Sequence, residues 1–304
     1  MHSQTTPNDE KSKAVLTIAG CQFAVEADID HNAREILRLM DESAQRGARV
    51  VHFSEAALSG YAGEDFPSFA GFDWNALRRA TEAILQKAAD HKLWVLLGSA
   101  HRLSGDHAPH NSVYVISDQG AIVERYDKRF CTGVLEPRPE LDLCHYTPGD
   151  HNCVFEIDGW RCGTLICYDY RFPELYRDLK QRGVEVLFQS FHNARKTSQV
   201  YHEGNLWKEI VPATLQCRAA SNYLWISATN STTQWSLWPN FCVRPDGLLT
   251  GQLPEHEPGV LISQIDPNQQ FWDAAGPWRD RAIAGQLHSG HLVNDPRSQD
   301  RTIL

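Results

Sequence analysis

Apolar and polar positions follow two rhythms along this chain. Val15–Phe23 is a β-rich apolar run and reads as a first strand. Ile29, Ala33, Ile36, Leu37, Met40 and Ala44 then recur at helical spacing, with Asp30 as a candidate cap and Gly47 as the stop. Val50, Val51 and Phe53 form a short second strand, Trp74–Lys92 a second amphipathic helix, and Trp94–Ala100 a strand of buried type. Beyond residue 110 the pattern changes. Three pairs of short runs flank turn signals: Ser112–Ile116 and Ile122–Tyr126, Cys153–Ile157 and Arg161–Ile166, Phe241–Arg244 and Leu248–Thr250. The turns are Asp118-Gln119-Gly120, Asp158-Gly159 and Asp246-Gly247, so each pair predicts a hairpin. A helix opens at Pro173 and runs to Gln181, and another spans about Pro212 to Ser221. Val186–Ser190, Leu224–Ala228 and Gly259–Ile265 complete the strands. This mixture of βαβ units and hairpins predicts an α/β fold, with two packed layers of mixed sheet and helices outside. Residues 1–13 are polar and are expected to be a disordered N-terminal segment. Residues 14–266 form the domain, and 267–304 a C-terminal tail.

The bulk figures narrow the class. A chain of 304 residues with 42% hydrophobic and 22% charged residues has ordinary globular composition. The formal net charge of −9 comes with no block of lysine and arginine, which argues against nucleic acid as a partner. No apolar run approaches the ~18–20 residues that cross a bilayer, so no membrane association is expected. The eight cysteines include no CxxC pair. With polar residues at the start of the chain, they read as free thiols of a cytoplasmic protein.

Three segments each deliver a reactive side chain at the end of an apolar strand. Glu55 ends VVHFSE, Lys128 ends IVERYDK, and Cys167 ends GTLIC. A thiol with an ordinary pKa near 8.5 is only slightly ionised at neutral pH, so it needs a base. A neighbouring carboxylate can take its proton, and an ammonium can stabilise a thiolate and an oxyanion. The backbone N–H of Tyr168 is a candidate second oxyanion donor, because the chain turns sharply after Cys167. Taken singly, each residue also fits a bland role in packing, capping or solvation.

Together the motifs resemble the nitrilase superfamily, the carbon–nitrogen hydrolases with a Glu–Lys–Cys triad. HFSEAALSGY surrounds Glu55, ERYDKRF surrounds Lys128, and GTLICYDYRFPELYRDL surrounds Cys167. LQCRAASNYLWISATN, ending at Asn230, and PDGLL at 245–249 are similar to later elements of that family, so the resemblance runs from about residue 14 to 265. It implies a four-layer αββα sandwich, no metal or organic cofactor, and a homodimer or higher homo-oligomer in which subunits pack helix to helix. The tail, with Trp272, Trp278, His288 and His291 and little periodicity, is expected to pack on a partner subunit. CYDYRFPEL is closest to the amidase branch, which implies a small-molecule amide as substrate. N-carbamoyl amino acid amidohydrolases and nitrilases are the neighbouring alternatives, and a catalytically silent scaffold is the alternative of another class. Ser54 stands where the family often has proline. The resemblance also implies a second acidic residue in the loop after Lys128, for which Glu136, Glu140 and Asp142 compete; Glu140 is the one selected.

The substrate side is read from the loop after the strand Val186–Ser190. There His192 and Asn193 are candidate hydrogen-bond partners, and Arg195 is a candidate clamp for a carboxylate. Tyr61, Trp235 and Trp238 are candidate pocket walls. Arg171 is expected to support its own loop through ion pairing. His101, His107 and His110 near Asp106 fit no zinc spacing, so no metal is expected.

Overall fold

The computed structural model describes residues 13–193, 206–233 and 235–304. Twelve strands form two mixed six-stranded sheets. The first sheet comprises β1 (Leu16–Gln22), β2 (Val50–His52), β3 (Trp94–His101), β4 (His110–Ile116), β5 (Ile122–Asp127) and β12 (Gly259–Ile265), in the order β12-β1-β2-β3-β4-β5. The second comprises β6 (Val154–Ile157), β7 (Trp160–Ile166), β8 (Val186–Ser190), β9 (Trp225–Thr229), β10 (Phe241–Val243) and β11 (Leu249–Gln252), in the order β11-β10-β9-β8-β7-β6. The three expected hairpins are β4–β5, β6–β7 and β10–β11, all antiparallel. The central pairs β1–β2, β2–β3, β7–β8 and β8–β9 are parallel.

Both faces of the first sheet are covered, which is why its strands read as continuous apolar runs. Leu16, Ile18, Val50 and Leu96 point to the second sheet. Ala19, Cys21, Val51, Val95 and Leu97 point the other way, to helices α1 (Ile29–Gln45) and α2 (Trp74–His91). On the far side, α3 (Pro173–Gln181) and α4 (Leu206–Asn222) cover the second sheet with Leu175, Tyr176, Leu179, Val211 and Leu215. The layers therefore run helix, sheet, sheet, helix. Among the described residues, no helix is long and apolar enough to cross a membrane.

Two helix starts differ from the sequence reading. The cap of α1 is Asp28, whose carboxylate accepts from the N–H groups of Asp30 and His31; Asp30 lies inside the first turn. α4 begins at Leu206, leaving Pro212 inside the helix. Proline fits best where the missing N–H costs nothing, so the sequence placed the helix start there. The extra turn puts Trp207 over the mouth of the cavity described below. Of residues 1–13, expected to be disordered, 1–12 lie outside the described residues; Lys13 is placed, paired with Glu185 and lying over the Trp160 ring. The tail first packs on its own body: Phe271 meets Trp225 edge-on, and Arg279 pairs with Asp273 and donates to the Ser221 carbonyl. Beyond that it is exposed, and it carries the short helices α5 (Gly276–Ile283) and α6 (Pro296–Gln299).

One backbone crossing shapes the region where the motifs meet. The segment after β2 passes directly over Gly98 of β3. A Cβ at Gly98 would sit 2.0 Å from the Ser54 carbonyl oxygen and 2.7 Å from the Ala56 nitrogen. These are backbone atoms that no rotamer change can move. Gly98→Ala is therefore expected to destabilise the fold by about 3 kcal/mol, at the top of the overpacking range or beyond it. A urea-denaturation midpoint equal to wild type would contradict this.

Candidate active site

The C-terminal ends of β2, β5, β7 and β8 open at one rim of the sandwich. β2 delivers Glu55, β5 delivers Lys128, β7 delivers Cys167, and β8 leads into Phe191 and His192. Glu55 and Lys128 thus come from the first sheet, and Cys167 from the second. Lys128 and Cys167 line a cavity of about 650 Å³, with Tyr61, Asp142 and Tyr168 in its wall, and Glu55 is buried against Lys128.

Lys128 is the centre of the site. Its side chain is only 1% exposed, and its ammonium donates to Glu55 Oε1 at 2.8 Å, Asp142 Oδ2 at 2.9 Å and Tyr61 Oη at 3.1 Å. An ammonium has three donors, and all three are taken. Burial alone works against the charge, but Glu55, Tyr61 and Asp142 outweigh it and hold the Lys128 pKa well above the ordinary lysine value. Burial likewise opposes ionisation of Asp142, and Lys128 overrides it, keeping this carboxyl below its usual range. Tyr61 completes the ring by donating to Asp142 Oδ1 at 2.8 Å.

The Glu55 carboxylate is fixed at both oxygens. Oε1 also accepts from Asn111 Nδ2 at 2.8 Å, and Oε2 accepts from the His192 backbone N–H at 2.9 Å. Cys167 lines the cavity beside this cluster and feels the charge of the same carboxylate. Burial, and then the Glu55 charge, push the thiol well above its ordinary pKa, against the pull of Lys128. The resting nucleophile is therefore a neutral thiol beside a base. Cys167 has φ 39°, in the left-handed region that a side chain rarely adopts. It opens a 3₁₀ turn, Cys167–Arg171, in which the first backbone N–H groups lack partners inside the turn. Tyr168 N–H belongs to this set, and Tyr168 lines the cavity.

Several expected residues stand elsewhere. Glu140 is exposed and extended, at the start of the 3₁₀ turn Leu141–Cys144. Leu141, with φ 50°, reverses the chain, and the next residue, Asp142, is the one turned inward. The second acidic position at the site is thus Asp142, not Glu140. Counting along an irregular loop cannot locate such a reversal. Trp235 does not line the cavity, whereas Trp238 does. Arg195 lies outside the described residues. Asn193 lines the cavity; its backbone N–H donates to Asn230 Oδ1 and its Oδ1 accepts from Leu237 N–H, so these two atoms hold the loop. The His192 ring is fully buried, stacked on Tyr61 at 5.1 Å and 3.1 Å from Asp65. Burial opposes its charge, and Asp65 outweighs that and raises the pKa. It forms part of the cavity wall. Arg171 makes no ion pair among the described residues; it stacks over Trp207 at 4.2 Å and Tyr170 at 5.2 Å at the cavity rim. Of the histidines weighed for zinc, His101 is held by Tyr114 and Arg125, and His110 by the Thr147 carbonyl.

Two residues of the site went unread in the sequence. Asn111 looked like an ordinary polar residue before a strand. Asp169 lies inside the nucleophile motif and ties the sheets together: it accepts from Ile166 N–H, Phe130 N–H and Tyr126 Oη at 2.8–3.1 Å. Burial pushes its pKa up to about 6. The signal available was a carboxyl within an apolar motif, which needs partners when buried.

The arrangement is that of a cysteine hydrolase. The carbon–nitrogen hydrolase family profile matches residues 17–271, and the chain belongs to that family, within the nitrilase superfamily. It is similar to the chloroplastic omega-amidase of Arabidopsis thaliana, at 25% identity over 83% of this chain and 68% of the relative. It is also similar to the N-carbamoylputrescine amidase of Solanum tuberosum, at 25% identity over 90% of this chain and 93% of the relative. Among solved structures, an amidase from Nesterenkonia sp. AN1 shares the fold, with TM-score 0.70 and 21% identity over 90% of this chain and all of the other.

Lys128→Met tests the energetics of the cluster. It strands two buried carboxylates, so a loss of about 3–5 kcal/mol at pH 7 is expected. The sign with pH follows. In the wild type, Asp142 is held low, so its stabilisation is present above about pH 4 and is lost as pH falls through its folded value. Without the cation, burial reverses that shift, and the stranded carboxyl is relieved by protonation. The gap between variant and wild type should narrow from pH 7 to pH 4.5 in urea titrations; a gap that widens would refute the account.

Proposed function

We propose that the protein is an amidase that hydrolyses the linear amide of a small anionic substrate through a thioester on Cys167. The observation that carries this reading is that one carboxylate, Glu55, is paired with a buried ammonium, Lys128, that lines the same cavity as the Cys167 thiol. Glu55 takes the thiol proton as Sγ attacks the amide carbon. The carbonyl π pair moves to oxygen, and the oxyanion is stabilised by Lys128 and the Tyr168 N–H. Since every Lys128 donor is occupied at rest, one acceptor has to give way. Tyr61 is the neutral one, so losing it costs least. Glu55 returns the proton to the leaving nitrogen, the C–N bond breaks and ammonia departs. Glu55 then activates a water, which attacks the thioester and releases the carboxylate and the thiol. Asp142 keeps the ammonium charged and in place throughout.

The anionic character rests on Arg171. A guanidinium at the rim, with no carboxylate paired to it among the described residues, suits a planar anion. Stacking on the faces of Trp207 and Tyr170 does not use the edge donors of a guanidinium. The amidase names of the relatives agree with the amide half of this reading.

Cys167→Ala is expected to abolish turnover with the fold intact, a loss of several orders of magnitude. In Glu55→Gln, mass spectrometry should find either no adduct or an acyl group that persists on Cys167. A panel of amides, carbamoyl compounds and nitriles identifies the bond: ammonia without carbon dioxide marks the amidase. Arg171→Gln should raise KM for an amide bearing a carboxylate by roughly 10-fold or more, in line with a lost charged hydrogen bond of about 1.5–3 kcal/mol. It should leave a neutral amide unaffected. Equal effects on both substrates would remove the anionic assignment.

A further inference from the structure

The site is divided between two sheets, so its geometry depends on how far one sheet is offset from the other. Most of the contact between them is apolar, and apolar packing is not directional. Directly beneath Glu55 the contact is different. His52, the last residue of β2, is fully buried between the sheets. Its Nδ1 lies 3.0 Å from Ser227 Oγ, and its Nε2 lies 3.0 Å from Ser190 Oγ and 3.2 Å from Thr229 Oγ1. All three hydroxyls belong to β8 and β9 of the second sheet. Ser190 and Thr229 also donate to the Phe53 carbonyl, at 3.2 and 3.0 Å.

These contacts favour one protonation pattern. A hydroxyl has one proton. With Ser190 and Thr229 both donating to Phe53, as their geometry allows, each accepts from His52, which places the imidazole proton on Nε2. Nδ1 is then the acceptor, and Ser227 is its donor. Every group in the network is satisfied in this arrangement. The network reaches the chemistry by two short routes. Phe53 stands two residues before Glu55, whose own N–H donates to the Phe191 carbonyl one residue past β8. Across the second sheet, Ser190 pairs with Ile166, the residue before Cys167.

We propose that His52 is a positioning residue: as a neutral Nε2–H imidazole it pins β2 to β8 and β9 and so sets the distance between Glu55 and Cys167. This rests on Glu55 and Cys167 being base and nucleophile. Burial lowers the His52 pKa to about 3, so the pin holds throughout the working range of pH.

The test compares His52→Leu, which keeps bulk and removes every hydrogen bond, with His52→Gln, which keeps a donor and an acceptor. Two rates are read: kcat and KM for an amide that the wild type hydrolyses, and alkylation of Cys167 by chloroacetamide. A misplacement of the order of 1 Å costs roughly 100-fold in rate. A fall of 10- to 100-fold in kcat is therefore expected for His52→Leu, with KM within about threefold. Alkylation should fall alongside, and His52→Gln should recover most of both. Unchanged rates in His52→Leu, or a loss that His52→Gln does not recover, overturn the proposal. If His52→Leu does not fold, Ser190→Ala removes one peg and is expected to lower kcat with KM held; an unchanged kcat there overturns it equally. ¹⁵N NMR of the wild type should show the His52 ring protonated at Nε2 and not titrating between pH 5 and 9; a proton on Nδ1 or a titration in that range also overturns it. Should the wild type hydrolyse no amide, the amidase reading fails by itself, and the alkylation rates and the ring spectrum still decide the role of His52.

Discussion

The structure turns on one buried cation. Taking an ammonium out of water costs several kcal/mol, and it is recovered only with well-placed partners. Lys128 has three, and each does something else as well. Glu55 is the base, Asp142 anchors the loop after β5 at the cavity, and Tyr61 forms the neighbouring stretch of wall. The charge therefore organises the site before any substrate arrives. It links β2, β5 and the loop after β5 through one atom. Preorganisation of this kind is what lets fixed charges act on a transition state without rearranging first.

A second constraint is the division of the reacting groups between two sheets. Packing of apolar faces sets their separation but leaves their offset loosely defined. Polar crosslinks remove that freedom at the rim where the site lies. Asp169 joins the start of the nucleophile turn to Tyr126 and Phe130 on either side of Lys128. His52 does the same between β2 and the β8–β9 pair. The Glu55 carboxylate, held by a backbone N–H from beyond β8, is a third such link. All three cost desolvation energy that an apolar contact would not. What they supply is direction.

Much of this was legible in the chain. The strands of the sheets appear as apolar runs because both faces are buried, and the hairpins appear through their turn dipeptides. Glu55, Lys128 and Cys167 could be read because each stands at the end of a strong strand, where position in sequence fixes position in space. The acidic partner of Lys128 could not be read in the same way. It sits in an irregular loop whose reversal at Leu141 has no periodic signature, so Glu140 and Asp142 were indistinguishable by counting. Asn111 and Asp169 were missed for a related reason. Their importance comes from partners far away in sequence, and only burial reveals it. The start of α4 was misplaced because Pro212 obeys its local preference less strictly than the packing of Trp207 and Val211 requires.

The neutral state of the Cys167 thiol has a consequence beyond turnover. Peroxides and stray electrophiles attack thiolates, and their damage to a cysteine becomes irreversible once two oxygens have been added. A nucleophile that is ionised only as it meets a carbonyl offers such reagents little to attack between catalytic cycles. Burial, aided by the carboxylate that arms this residue, withholds charge from sulfur at rest and so protects it from oxidative ageing.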